Sequence, residues 1–250
     1  YFDYDFTIRT PLLEPLEGLA PDGGLYQPVD LPRRDGADLA AWRGWPFDAV
    51  ARPLAQRLLE GEFRAEVLDR IVISALDFPV PVRPLGEGLW LLELFHGPTL
   101  AFKDFGARFL ARLFGEVLTE DGDEATVLVA TSGDTGSAVA RGFAGVPRTR
   151  VVVLYPAGRV SPFQEAQMAT IGGNVTAVRV PGVFDDCQRL VKSALLDPAL
   201  AGLRLSSANS INIGRLLPQM FYYVSSYLEV AARPGDRVVF AVPSGNLGNL

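Results

Sequence analysis

Apolar positions along the chain follow two regimes. Up to about residue 85 they are broken by proline, glycine and arginine, and helical spacing shows only around Asp48–Glu60 and Phe63–Leu76. From about residue 89 short strand-like runs alternate with helical ones. Leu89–Phe95 is the first such run. From Gly106 onward Phe109, Leu110, Leu113, Phe114 and Val117 mark one face of a helix. Thr126–Ala130 predicts a strand, Gly136–Phe143 a short helix, and the β-branched Arg150–Tyr155 another strand. Ser161, Pro162 and Gln164 form the signature of a capped helix start. Asn174–Val180 predicts a strand, Asp185–Leu196 a helix, and Arg237–Val242 a buried strand. Strands alternating with helices of these lengths predict an α/β fold, a mostly parallel sheet covered by helices, behind an N-terminal α+β region. There is no internal repeat and no low-complexity tract.

Composition narrows the function classes. At 250 residues, 48% hydrophobic and 21% charged, the chain has enough apolar material for one or two cored domains. A net charge of −6 disfavours nucleic-acid binding by bulk electrostatics. Apolar runs such as Val151–Tyr155 fall far short of the ~20 residues a membrane-spanning helix needs. No basic segment followed by an apolar stretch opens the chain, so no secretory signal is visible. Residue 1 is tyrosine, the only methionines are Met168 and Met220, and Pro243–Leu250 is a glycine-rich loop of the kind that feeds a helix. The expectation is a piece of a longer protein.

Scarce residues are more decisive. One cysteine, Cys187, and one histidine, His96, exclude an intramolecular disulfide and a Cys/His structural zinc site, and no metal site is expected. The lone cysteine suits a reducing compartment. Of the 23 basic residues only Lys103 and Lys192 are lysines, so an amine nucleophile has two candidates. Lys192 has the setting of an exposed helix residue. Lys103 lies between Phe102 and Phe105 where a helix begins. Apolar neighbours and the positive end of the helix dipole both favour the neutral, nucleophilic amine. A lysine reaching the surface, or paired with Asp104, fits the same spacing.

Three polar segments accompany it. Thr131-Ser132-Gly133-Asp134-Thr135-Gly136 joins a strand to a helix and leaves backbone N–H groups for a carboxylate or phosphate. It is neither a P-loop nor a dinucleotide-binding glycine motif. Gly245-Asn246-Leu247-Gly248-Asn249 has the same design. A capped or tight turn with no ligand fits both segments as well. Between them lies the polar run Ser206–Arg215, where Arg215 suits a phosphate or a structural role. One amine and two anion-binding turns suggest an aldehyde cofactor that carries a phosphate, and pyridoxal phosphate fits.

The motifs also resemble a family. His96-Gly97-Pro98-Thr99, Phe102-Lys103-Asp104 and Ser132-Gly133-Asp134-Thr135-Gly136 are similar to those of the bacterial-type threonine synthases. So are Gly23-Gly24-Leu25-Tyr26, Phe163-Gln164-Glu165-x-Gln167-Met168, Phe184-Asp185-Asp186-Cys187-Gln188, Asn209-Ser210-Ile211-Asn212 and Ser244-Gly245-Asn246-x-Gly248-Asn249. Leu247 stands where that family usually has phenylalanine. The resemblance implies a pyridoxal-phosphate enzyme of the tryptophan-synthase-β fold type (fold type II). It would have an N-terminal region (1–88), a large cofactor domain (89–120 and 206–250), and a smaller α/β domain nested within it (121–205). Lys103 would join the cofactor and shuttle protons, with Phe102 beside it. Asp134 would face the cofactor's 3′-oxygen, and Gly245, Asn246, Leu247, Gly248 and Asn249 would hold its phosphate. Thr131, Ser132, Gly133 and Thr135 would bind the substrate carboxylate, with Asn209, Asn212 and Arg215 completing the substrate site. His96 would shape its turn and Cys187 would pack in a helix.

The implied reaction converts O-phospho-L-homoserine and water to L-threonine and phosphate, in the cytoplasm, with no nucleic-acid or membrane partner. Alternatives within the fold type are a phospho-lyase or a threonine dehydratase. Outside it stand a catalytically inactive binding module and a nucleotide-phosphate binder, the latter weakened by the missing P-loop lysine.

Overall fold

Two runs of helical spacing in the first third form α1 (Phe47–Leu58) and α2 (Ala65–Ala75). The computed structural model describes residues 39–209, 212–233 and 235–244. A hairpin follows, β1 (Val82–Gly86) against β2 (Leu89–Leu92), antiparallel. The strand expected over Leu89–Phe95 stops at Leu92, and Glu93 keeps one bond to Pro81 O before the chain turns towards α3. The boundary expected at 88/89 falls in the turn of this hairpin.

The alternating part then runs α3 (Lys103–Asp121), β3 (Ala125–Ala130), α4 (Asp134–Phe143), β4 (Thr149–Pro156), α5 (Pro162–Ala169), β5 (Val175–Val180) and α6 (Phe184–Leu196). A 3₁₀ turn (Pro198–Leu203), β6 (Leu205–Ser207), the single turn α7 (Ile213–Leu216) and α8 (Gln219–Val230) complete the described elements. The strands form a parallel sheet in the order β5-β4-β3-β6. β3 shows why the sheet is covered twice. Val127 and Val129 join the core beneath α3 and α4, while Leu128 and Ala130 face α6 through Cys187 and Val191. The α/β fold with a parallel sheet between helices therefore holds, and Cys187 packs in α6 as expected.

α3 is the hub. Ala107, Leu110, Ala111 and Phe114 pack towards the sheet, while Phe105, Phe109 and Leu113 pack against α1, α2 and α8. Phe105 meets Phe47, Phe78 and Tyr222 edge-on and is fully buried. Burial of such a side chain contributes about 1.5–3 kcal/mol. A helix embedded on two sides fixes the residue at its first position, Lys103.

The expected strand at Arg237–Val242 is not formed among the described residues. No described strand pairs with it, and Val239 is 79% exposed, so the ladder bonds that define a strand are missing. Phe240 instead packs edge-on against Tyr223.

Candidate active site

Lys103 opens α3 with its side chain only 18% exposed. Its Nζ lies 4.7 Å from the centroid of the Phe102 ring and 3.9 Å from Asp134 Oδ2. Burial lowers the amine's pKa, the Asp134 carboxylate works against that, and the Arg215 guanidinium adds to it. The alternative pairing with Asp104 does not form. Asp104 is fully buried and accepts from Thr99 N and from Thr99 Oγ1, both at 2.8 Å. A Cβ on Gly97 would meet the Asp104 carboxylate at 2.5 Å, which is why a glycine precedes Pro98 here. The second lysine, Lys192, is exposed on α6, away from this constellation.

The turn after β3 is built by one side chain. Thr131 Oγ1 donates to Gly133 O and accepts from Gly133 N and Gly136 N, at 3.0, 2.9 and 2.8 Å. Two of the backbone donors expected to meet a ligand are therefore already engaged. Thr131 itself is buried, so it shapes the turn instead of facing solvent. The N–H groups of Ser132, Asp134 and Thr135 have no partner among the described residues, and they lie at the N-terminus of α4. That row is what the turn offers an anion.

Helix α5 braces this turn. Its expected cap is present: Ser161 Oγ accepts from Gln164 N, and Gln164 Oε1 accepts from Ser161 N. Gln164 Nε2 also donates to Asp134 Oδ1 at 2.7 Å, a bond the cap signature does not reveal. Gln167 Nε2 reaches Thr99 O, and Met168 packs beneath Gly136, whose Cβ would lie 2.6 Å from its sulfur. Glu165 takes hydrogen bonds from Tyr155 and Arg179, tying α5 to β4 and β5. Every polar member of Phe163-Gln164-Glu165-x-Gln167-Met168 thus has a positional task. Sequence reasoning missed Gln164 and Thr99 as parts of the site. The available signal was a cap residue that carries an amide where a carboxylate would also close the cap.

The run after β6 lies beside this turn because β6 pairs with β3. Asn212 is buried. Its Oδ1 accepts from Gly214 N and its Nδ2 donates to Ser207 O, so it caps α7 and holds the strand end. Arg215 is 2% exposed and donates from Nη1 to Ala208 O at 2.8 Å. Burial pushes its pKa down to about 10, which leaves the guanidinium charged at neutral pH. Asn209 Oδ1 and Arg215 Nε are buried without a hydrogen-bond partner among the described residues. His96 bonds to Glu93 at 2.7 Å and lies against Phe95, on the loop leading to Lys103. Gly245, Asn246, Leu247, Gly248 and Asn249, and the Gly23–Tyr26 motif, lie outside the described residues. No group of three or more His, Cys, Asp or Glu that could hold a metal occurs among the described residues. No described helix is long and apolar enough to cross a membrane.

Comparison with known proteins agrees with the resemblance drawn from the motifs. Residues 14–76 match the family model "Threonine synthase N terminus". The threonine synthases of Serratia marcescens and Escherichia coli are each 43% identical over 94% of this chain and 54% of their own length. The chain spans about half the length of the curated relatives it matches. Among solved structures, threonine synthase from Escherichia coli aligns with a TM-score of 0.88 and 41% identity over 96% of this chain and 56% of that one. The PLP-bound threonine synthase from Brucella melitensis aligns equally well, over 95% and 53%. Residues 75–250, which include every part of the constellation around Lys103, match the model "Pyridoxal-phosphate dependent enzyme", and the chain belongs to that family.

Proposed function

We propose that the protein is a threonine synthase, converting O-phospho-L-homoserine and water to L-threonine and phosphate in the cytoplasm with pyridoxal phosphate as cofactor. The observation that carries this reading is the half-buried Lys103 amine, its pKa lowered, facing Asp134 beside a row of unpartnered N–H groups.

The residues fit the cofactor. Phe102 offers a ring face next to the amine, and Asn209 Oδ1 and Arg215 Nε are buried polar atoms left without partners. Unpaired buried groups of this kind cost roughly 1–3 kcal/mol each, so a polar ligand that engaged them would be held firmly. Gly245–Asn249 would take the phosphate. Bound at Lys103, pyridoxal phosphate supplies an electron sink that acidifies the C–H bonds next to the substrate amine.

The chain's own groups do the remaining work. The Ser132, Asp134 and Thr135 N–H groups hold the substrate carboxylate. The Lys103 amine, its pKa lowered by burial, takes the α-proton and then the β-proton. Elimination of the γ-phosphate and addition of water at the β-carbon follow. Asp134 stabilises the ammonium form each time Lys103 carries a proton. Thr131 and Asn212 contact no ligand in this reading and hold the two turns in shape.

The test is direct. Incubation of the protein, in its natural full length, with pyridoxal phosphate and O-phospho-L-homoserine yields threonine and phosphate in equal amounts. A keto acid in place of threonine would favour the dehydratase or lyase alternative. Borohydride reduction followed by peptide mapping labels the Lys103 peptide; a label on Lys192 would overturn the site assignment.

A further inference from the structure

A capping box needs only an acceptor at its fourth residue, so glutamate and glutamine serve alike. At position 164 the acceptor oxygen is committed to Ser161, receiving its backbone N–H and its hydroxyl at 3.1 and 3.0 Å. The other end of the amide then has to be a donor, which fixes the orientation of the group. That donor meets Asp134 Oδ1 at 2.7 Å, leaving Oδ2 as the oxygen nearest Lys103. The turn is shaped to admit this side chain. Gly133 sits at φ +151, and a Cβ there would collide with the Gln164 amide. Ser137 Oγ, at the first turn of α4, reaches Gln164 O as well.

We propose that Gln164 is a positioning residue, whose amide closes the cap of α5 and at the same time holds the Asp134 carboxylate against the Lys103 amine. This rests on the reading that Lys103 is the reactive amine. The charged groups that face this amine are Asp134 from α4 and Arg215 from α7. Its neighbour Asp104 is held by Thr99, and Glu165 on α5 is paired with Arg179. Among the described residues Asp134 is therefore the one group that favours the ammonium form, and its placement sets how readily Lys103 gives up a proton.

With only two lysines in the described chain, one can report on the other. The full-length protein, freed of cofactor, is treated with trace acetic anhydride across a pH series, and labelling of Lys103 is read against exposed Lys192. Gln164→Leu releases Asp134, so Lys103 becomes neutral at lower pH. Its labelling relative to Lys192 near neutral pH rises by about five-fold, the size of one unit charge near 4 Å in a wet setting. Asp134→Asn gives a rise of the same sign, and Gln164→Leu adds nothing further in that background. Ser161→Ala removes the hydroxyl half of the cap but keeps the amide, and leaves the Lys103 profile unchanged. An unchanged profile in Gln164→Leu overturns the proposal, as does an equal shift with Asp134 already replaced or a shift in Ser161→Ala of the size seen in Gln164→Leu. The readout does not depend on cofactor or turnover, so failure of the functional reading would appear separately, as a borohydride label on Lys192.

Discussion

After β3 the chain leaves three donors at the helix start, the N–H groups of Ser132, Asp134 and Thr135, without partners among the described residues. After β6, the neighbouring strand, the richer polar run closes on itself: Asn212 caps α7 and ties down Ser207 O, and Arg215 binds Ala208 O. Both segments sit at the carboxyl ends of parallel strands, the customary place for ligands in such sheets. The difference lies in geometry and not in composition. A hydroxyl at Thr131 satisfies two donors and exposes three, whereas an amide at Asn212 satisfies its surroundings from both ends. Polar residues at a strand end become a receptor only where some backbone groups are left over. Ser206 Oγ, Asn209 Oδ1 and Arg215 Nε are the exceptions, buried polar atoms of this segment with no hydrogen-bond partner among the described residues.

Substitutions separate the two segments. Arg215→Leu removes the donor from buried Ala208 O and leaves space, and destabilises the fold by about 3 kcal/mol. Denaturant titration shows this as a lower midpoint with an unchanged slope. A neutral effect would show that Arg215 does not hold the Ala208 carbonyl in place and would break the comparison. Asn212→Ala loses a cap and a strand-end bond, for about 2 kcal/mol. Thr135→Val alters stability by no more than about 0.5 kcal/mol. Loss of the hydroxyl beside that row of N–H groups weakens substrate binding instead, with pyridoxal phosphate occupancy nearly unchanged; parallel loss of both would merge the roles of the two turns.

The smallest expected effect concerns Asp104, another closed group. Burial raises its pKa despite the opposing Thr99 donors. The folded chain then holds this proton more tightly than the unfolded chain. Stability falls as pH rises from the ordinary carboxylate pKa through the raised one and is level above it. The Asp104→Asn variant lacks this slope, so its stability difference from the parent changes with pH only across that window. A parallel pair of pH–stability curves would show that Asp104 is not perturbed.

Much of this was legible in residue order. The alternation of Thr126–Ala130, Arg150–Tyr155 and Asn174–Val180 with helical spacing found the sheet, because strands covered on both faces are nearly continuous in apolar residues. Ser161 and Gln164 marked a helix start through chemistry local to four residues. Lys103 was legible because lysine is so scarce. The strand at Arg237–Val242 was misread because a strand needs a pairing partner, which its own sequence cannot supply. The backbone bonds of the Thr131 hydroxyl were hidden for a related reason: they depend on the geometry of the turn, which residue order does not carry. The Gln164–Asp134 bond joins residues thirty apart and leaves no periodic trace.

The helix that carries Lys103 also has little room for change. A methyl group on Gly106 would strike Arg215 O at 2.5 Å, and one on Gly142 of α4 would press on the backbone of Ala107 at 3.1 Å. Backbone meets backbone on both flanks within a turn of the amine, where no side chain can swing aside to absorb an error. Laboratory evolution for new substrates should therefore find its productive changes in loops around Ser132 and Asn209, with α3 inherited nearly intact. The Lys103 amine is the fixed datum from which every other part of the constellation is measured.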